Sequence, residues 1–384
     1  MRNPVRTALL GAMLLALAGG AAAQVKIGVS ISLTGPAASL GLPARDTISM
    51  LPKEIGGEKV DYIVLDDASD TTTAVQNTKK LISENHVDAI IGSSITPNTL
   101  AMLDVIAAGT TPTISLASSA RIIEPVDAKR YWMFKTPQTD AQMASAIAEH
   151  ASRHGVKTMA FIGQGDALGE AFYEEVAKFA ALHKIKMVAS ERFARTDPSV
   201  TGQILKIMAQ NPDAVVVGAA GTPAALPPKA LAERGYKGLV YHNHGVGNND
   251  FLRVCGKDCN NTYLPASPVL VASQLPNDHP AKAVALDYIK KFDAKYGAGK
   301  VAAFGSYAWD AGILLQRAIP IALKSNAKPG TPEFRKALRD ALETSKDVHV
   351  SNGVVNMSPT DHLGLDQRAR VMVKIENGKW VIAP

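Results

Sequence analysis

The sequence predicts an α/β protein with two doubly wound parallel-sheet lobes that face each other across a ligand cleft. Three observations support this prediction. Val- and Ile-rich segments alternate with helical segments from Val25 onward, as in parallel sheets covered by helices on both faces. One strand-and-loop pattern occurs twice along the chain. The length of 384 residues also exceeds what a single hydrophobic core usually holds.

The first 23 residues have the composition of a signal peptide. Arg2 and Arg6 form a basic start, residues 8–18 are apolar, and residues 21–23 are the small alanines that a signal peptidase accepts. We expect cleavage after Ala23. The apolar segment is shorter than the ~20 residues that cross a bilayer, and no cysteine lies at the cleavage point to carry a lipid. The sequence therefore predicts an exported protein without a membrane anchor.

Charge and cysteine content argue against several classes of protein. The formal net charge is +6 and the lysines are scattered, which indicates no nucleic-acid surface. The cysteines, Cys255 and Cys259, are four positions apart. In an oxidising compartment this spacing favours a small-loop disulfide, because a metal site would need two further ligands nearby. We therefore expect no metal and no cofactor.

The internal repeat relates residues 88–97 to residues 213–223. From the glycine that ends each strand the offset is constant at 126 positions, so that Gly92 corresponds to Gly218 and Thr96 to Thr222. A Thr-Pro pair follows in both copies and predicts a helix with Thr as N-cap and Pro in the first turn. Such helix starts direct free N–H groups outward at the carboxyl ends of the strands, where doubly wound sheets bind ligands.

The same register extends to the next strand of each half and predicts the walls of the cleft. It pairs Ser118 with His244, each in a loop after a strand. A second, looser overlay pairs residues 39–41 with residues 167–169. We expect all four loops to face the cleft.

Two other motifs suggest a function, but a structural interpretation is favoured for each. Residues 163–169 resemble a dinucleotide fingerprint, but the third glycine comes one position late, so we favour a tight turn. His150 and His154 share a helical face, as metal ligands do, but they lie just before Gly155, where a helix should end. Solvated capping of that helix end is the favoured interpretation.

An apolar helix begins near Phe304, and most of its side chains should lie in the core. Tyr307 or Trp309 near its start could stack on a flat ligand. The chain contains no Gly-x-Ser-x-Gly elbow, no His-Glu-x-x-His helix and no phosphate-binding P-loop. We therefore predict that it is not an enzyme.

Five short segments carry a resemblance to a known family, namely Leu33–Ala37, Leu65–Asp70, Ile90–Gly92, Pro112–Ser115 and Gly245–Asn248. On these segments the chain resembles the type I periplasmic binding proteins of ABC transporters, in the leucine/isoleucine/valine-binding branch. The resemblance implies a periplasmic protein that closes over a small ligand and presents it to an ABC permease. We expect it to act as a monomer.

The resemblance also implies two discontinuous lobes joined by three crossovers. Residues 24–137 and 267–352 would form the first lobe, and residues 138–266 and 353–384 the second.

The ligand contacts of the family map onto both walls. In amino-acid-binding relatives the first lobe holds the ligand carboxylate through loops that correspond here to Thr96 and to residues 117–119. The second lobe of those relatives binds the ammonium group with an acid just before the Gly-Val-Gly-Asn segment, where this chain has His244. A site without that acid should reject α-amino acids, because the ammonium group would be desolvated without a partner.

We therefore hypothesise an aromatic carboxylate or an aryl keto acid as ligand, with small residues such as Gly221 leaving room for the ring. The predicted ligand-binding residues are Thr96, Ala117, Ser118, Ser119, Gly221, His244, Tyr307, Leu40 and Leu168. Three alternatives stay open: branched-chain or other amino-acid binding, presentation of a ligand to a membrane sensor, and a secreted enzyme on the same scaffold.

Overall fold

The computed structural model describes residues 24–383, and the predicted signal peptide at residues 1–23 lies outside them. The strands are β1 (Gln24–Ile31), β2 (Glu54–Ile55), β3 (Glu58–Asp66), β4 (Ala89–Gly92), β5 (Thr113–Ser115), β6 (Met133–Lys135), β7 (Thr158–Gln164), β8 (Lys186–Phe193), β9 (Ala214–Gly218), β10 (Leu239–His242), β11 (Tyr263–Ala266), β12 (Val348–Val350), β13 (Gly353–Val355), β14 (Val371–Glu376) and β15 (Lys379–Ile382).

The α-helices of the same region connect these strands and cover both faces of the sheets. They are α1 (Ala38–Ile48), α2 (Thr71–Ser83), α3 (Thr96–Ala108), α4 (Asp140–Arg153), α5 (Ala167–Leu182), α6 (Thr201–Met208), α7 (Leu226–Glu233), α8 (Asn249–Cys255), α9 (Lys282–Tyr296), α10 (Ala303–Leu323) and α11 (Pro332–Glu343).

Each lobe is built on one sheet, and the two sheets share a topology. The first has the order β2-β3-β1-β4-β5-β6, and the second β15-β14-β11-β10-β9-β7-β8. Within them β3-β1-β4-β5-β6 and β8-β7-β9-β10-β11 are parallel and equivalent. The strand order reverses between β1 and β4 and between β7 and β9. The predicted fold class is therefore confirmed.

After β13 the chain returns to the second sheet at β14 and stays there. The segment before it, residues 353–369, was predicted to belong to the second lobe. Its hydrophobic side chains instead join the core of the first, where Val355, Met357 and Leu363 are buried. β13 pairs with β12, and the carbonyl of His362 accepts a hydrogen bond from the Lys135 N–H at the edge of the first sheet. The predicted boundary at residue 353 therefore comes too early.

Two glycines let a helix pack directly on a strand end, and they explain the looser repeat. A Cβ atom on Gly41 in α1 would lie 1.9 Å from the carbonyl oxygen of Ser32. A Cβ atom on Gly169 in α5 would lie 1.9 Å from the carbonyl oxygen of Gln164. The repeated glycine is thus a packing requirement of both lobes.

Cysteine and histidine both have structural roles in the second lobe. Cys255 and Cys259 form the expected disulfide. Helix α4 ends at Arg153 with His154 as C-cap, but His150 is buried rather than solvated, because it packs beneath β10 and its Nδ1 lies 2.8 Å from the Tyr241 hydroxyl. Burial lowers the pKa of His150 to about 4.

No helix of residues 24–383 is both long and apolar enough to cross a bilayer. The same residues contain no cluster of three or more His, Cys, Asp or Glu side chains that could hold a metal ion.

A helical glycine packed against a backbone atom and one with free space around it should respond in opposite ways to substitution by alanine. Gly169→Ala should lower the free energy of unfolding by about 2 kcal/mol, because the new methyl group overlaps a backbone oxygen. Gly202→Ala in α6 meets no atom within 4 Å and should raise it by about 0.5–1 kcal/mol through the lower entropy of the unfolded chain. Urea unfolding of both variants checks this, and equal effects would contradict the packing argument.

Candidate ligand-binding site

Loops from both lobes meet at the carboxyl ends of the strands next to the two order reversals, and they enclose a central cavity. The first lobe supplies its first wall, formed by Ser94, Ile95, Thr96, Leu116, Ala117 and Ser118. The opposite wall consists of Leu168, Ala220, His244 and Gly245, and Phe304, Tyr307 and Pro137 close the side. The cavity volume is only about 10 Å³, about enough for one water molecule. The lobes are therefore closed tightly on each other.

The first wall combines a helix start with a free hydroxyl group. Thr96 is the first residue of α3, and Ile95 is the N-cap without a side-chain cap, so the prediction of Thr96 as N-cap is wrong by one position. Because Thr96 is not the N-cap, its Oγ1 does not accept a capping hydrogen bond. This buried atom has no hydrogen-bond partner among residues 24–383. It lies where the helix dipole favours an anion.

A buried ammonium group lies behind the Ser118 loop. The Nζ of Lys135 donates to the carbonyl oxygen of Ser118 and, over 3.2 Å, to that of Gln138. The side chain is fully buried. Burial lowers the pKa of Lys135 to about 8, and the carboxyl groups of Asp140, Glu124 and Asp361 act in the opposite direction. The ammonium group is therefore charged at neutral pH.

The second wall is positioned by a glutamine and carries a neutral histidine. The Gln164 side chain accepts a hydrogen bond from the Ala220 N–H and donates one to the Ala220 carbonyl, each over 3.2 Å. His244 is buried, with Nδ1 unpartnered within the described chain. Burial and, to a lesser extent, the Lys135 ammonium group lower the pKa of His244 to about 3. The ring is therefore uncharged at neutral pH.

Contacts between the lobes define the closed arrangement. Arg121 of the first lobe forms an ion pair with Glu174 of α5. The Ala303 N–H at the start of α10 donates to the Gly247 carbonyl over 2.8 Å. Gly221 packs against Pro36, where a Cβ atom would lie 3.1 Å from the proline carbonyl oxygen.

The structure brings six of the nine predicted site residues to the cavity: Thr96, Ala117, Ser118, Leu168, His244 and Tyr307. The other three lie outside the wall. Ser119 accepts a hydrogen bond from the Arg121 N–H over 3.3 Å and so caps a short turn. Leu40 is fully buried in the core of the first lobe. Gly221, with φ of 73°, makes the interlobe contact described above.

Several wall residues were missed by the sequence analysis, although the repeat contains a signal for three of them. The offset of 126 pairs Ser94 with Ala220 and Ser119 with Gly245, so three of these four positions line the cavity. Phe304 comes one helical turn before Tyr307 and shares its face. Lys135 had no signal, because its burial depends on distant segments.

The cavity has polar groups on one wall and an apolar surface at its side. It therefore suits a ligand in which a polar group lies next to an apolar one. No Asp, Glu, Lys or Arg side chain lines the cavity within residues 24–383. Hydroxyl groups and a helix start lie on one wall, and the rings of Phe304 and Tyr307, edge to face at 5.3 Å, lie at the side.

Known proteins share the sequence pattern and the fold of this chain. The family described as "Periplasmic binding protein" matches residues 24–379. The chain is similar to the Leu/Ile/Val-binding protein homolog 3 of Brucella melitensis, at 23% identity over 363 residues and 91% of each chain. A solved extracellular ligand-binding receptor from Rhodopseudomonas palustris HaA2 is 43% identical, with a TM-score of 0.91 over 94% of this chain and 100% of that one.

A more distant solved structure, a solute-binding protein of an ABC transporter from R. palustris in complex with benzoate, shares the fold. It is 21% identical, with a TM-score of 0.81 over 94% of this chain and 95% of that one. With the family match spanning both lobes, the chain belongs to the periplasmic binding protein family, whose members bind solutes and are not enzymes.

Proposed function

We propose that this protein captures a small organic anion, an aromatic carboxylate or an aryl keto acid, in the periplasm and presents it in the closed form to an ABC permease. The observation that carries the proposal is the character of the central cavity. Its first wall offers hydrogen-bond donors at the start of a helix, and neither wall carries a carboxylate. Such a site favours an anion and disfavours a cation.

Three features support a carboxylate at the first wall. The Thr96 hydroxyl is buried and unpartnered within the described chain, and a buried donor without a partner costs free energy that an anionic ligand would recover. Helix α3 directs its N-terminus to the same place. The Lys135 ammonium group adds a positive charge behind Ser118.

The remaining surface supports an aromatic group. Leu116, Leu168, Phe304 and Tyr307 form its apolar part, and aromatic rings pack well against such surfaces in edge-to-face or offset geometry. The benzoate complex of the distant relative is an example of an aromatic acid held in this fold. Its identity to this chain is too low to transfer the ligand, so the proposal depends on the cavity itself.

Amino-acid binding is the main alternative, and the second wall argues against it. An α-ammonium group placed there would face His244, whose neutral ring offers at most one acceptor and no negative charge. The desolvated ammonium group would remain uncompensated.

A ligand screen tests the proposal. Thermal unfolding with benzoate, phenylpyruvate or leucine should show stabilisation by an aromatic acid of about 2.7 kcal/mol at a concentration 100-fold above its Kd, and none by leucine. Calorimetry would then give the affinities. Tight leucine binding together with no response to aromatic acids would overturn the proposed ligand class.

Removal of one hydroxyl group should weaken the carboxylate contact. Thr96→Val keeps the shape of the side chain and should weaken benzoate binding at least tenfold, because a hydrogen bond to a charged group contributes about 1.5–3 kcal/mol. Thr78→Val is the matched control: this buried threonine of α2 donates to the Ala74 carbonyl outside the cavity. Equal affinities of the two variants for benzoate would contradict a contact at Thr96.

The affinity for benzoate should depend on pH through Lys135 and not through His244. With the pKa of Lys135 at about 8 and that of His244 at about 3, the affinity should be constant between about pH 5.5 and 7 and should fall above pH 8, as the ammonium group loses its proton. Calorimetry across this range measures the effect. Lys135→Arg keeps the positive charge at high pH and should remove the decline. A loss of affinity as the pH is lowered from 7 to about 5.5 would contradict the assignment of the pH dependence to Lys135.

A further inference from the structure

Tyr307 connects the cavity to the segments that join the lobes. Tyr307 lines the central cavity, and its hydroxyl group lies between two other polar side chains. This hydroxyl is 2.6 Å from the Ser267 Oγ and donates over 3.3 Å to the Oε1 of Gln138. Ser267 directly follows β11, and Gln138 lies between β6 and α4. One hydroxyl group therefore contacts the first and the second crossover together.

Gln138 extends this connection to the third crossover. Its Nε2 donates to the carbonyl oxygen of Ala369, just before β14. Its own carbonyl accepts from Lys135, which also holds Ser118 in the cavity wall. The Gln138 side chain is fully buried, so the loss of any of these contacts would leave a polar group unpaired.

Tyr307 is itself held from both lobes. Its carbonyl accepts a hydrogen bond from Thr136 Oγ1 over 3.0 Å, and its ring lies edge to face with His244 of the opposite wall, at 6.4 Å between centroids. Burial raises the pKa of Tyr307, so the hydroxyl stays protonated and can donate to Gln138 while it accepts from Ser267.

We propose that Tyr307 and Gln138 are a pair of positioning residues that couple occupation of the cavity to the geometry of all three crossovers. A ligand that packs on the Tyr307 ring holds the hydroxyl group in place, and this in turn holds the three segments in the closed arrangement. When the lobes separate, the three segments rotate relative to one another, and one hydroxyl group does not keep both partners. The inference deepens the proposed function and depends on it for the ligand.

Deletion of the hydroxyl group alone tests the coupling. Tyr307→Phe keeps the ring in the cavity wall and removes both contacts with the crossovers. Tyr288→Phe is the matched control, because this buried tyrosine of α9 has its hydroxyl 2.8 Å from the Thr47 Oγ1, within the first lobe. Two measurements are compared: the radius of gyration of the ligand-free protein by small-angle X-ray scattering, and the Kd and dissociation rate of benzoate.

We expect Tyr307→Phe to have a larger radius of gyration than the wild type and the control, and to bind benzoate about three- to tenfold more weakly, mainly through faster dissociation. If both variants match in scattering and in affinity, the coupling is wrong. If the wild type does not bind benzoate, the proposed ligand class fails, while the scattering comparison still decides the coupling. If Tyr307→Phe does not fold, Ser267→Ala removes one of the same contacts and is expected to show the same opening.

Discussion

The whole site depends on the close approach of strand ends at the reversals of strand order. At the end of β4, a Cβ atom on Gly92 would lie 2.0 Å from the carbonyl oxygen of Ser30 in β1. Its φ of 136° is also one that other residues rarely adopt. Because no side chain intervenes, residues 93–96 turn over the end of β1 and α3 starts at the cavity. In the second lobe Gly218 instead makes room for the ring of Phe161, which would lie 2.3 Å from a Cβ atom at that position.

The first wall rests on a buried carboxylate that has hydrogen-bond partners, in contrast to two polar groups at the cavity itself. Asp67 beneath it accepts hydrogen bonds from the hydroxyl groups of Ser32 and Ser93, so its buried carboxylate is compensated. Thr96 and His244 differ, because each has a buried polar atom without a partner in the described chain. Native interiors leave few such atoms. Two such atoms lie at one cavity, on opposite lobes, which supports its proposed role as the ligand site.

Sequence patterns predicted which loops form the walls of the cavity, but not which of their side chains line it or that Lys135 is buried behind them. The constant register of the repeat brought Ser118 and His244 together from distant parts of the chain. The second, looser overlay predicted both Leu40 and Leu168 in the cavity wall, although only Leu168 lines it. Both residues follow the same local pattern, but α1 packs on α10 whereas α5 packs on α4, so the two leucines have different neighbours. Lys135 looked like an ordinary strand residue. It is buried because residues 353–369 return over the edge of the first sheet, a contact between segments far apart in the sequence.

The sequence by itself determined the alternation of strands and helices, the internal repeat and the loops that follow the strands, and it favoured the disulfide, because all of these depend on periodicity and spacing along the chain. Tertiary structure alone decided which side chains of those loops face the cavity, that Lys135, His150 and His244 are buried, and that the Tyr307 hydroxyl group contacts two of the crossovers. Burial, pKa and hydrogen-bond partners depend on which distant segments pack together, and one sequence carries no local pattern for that packing.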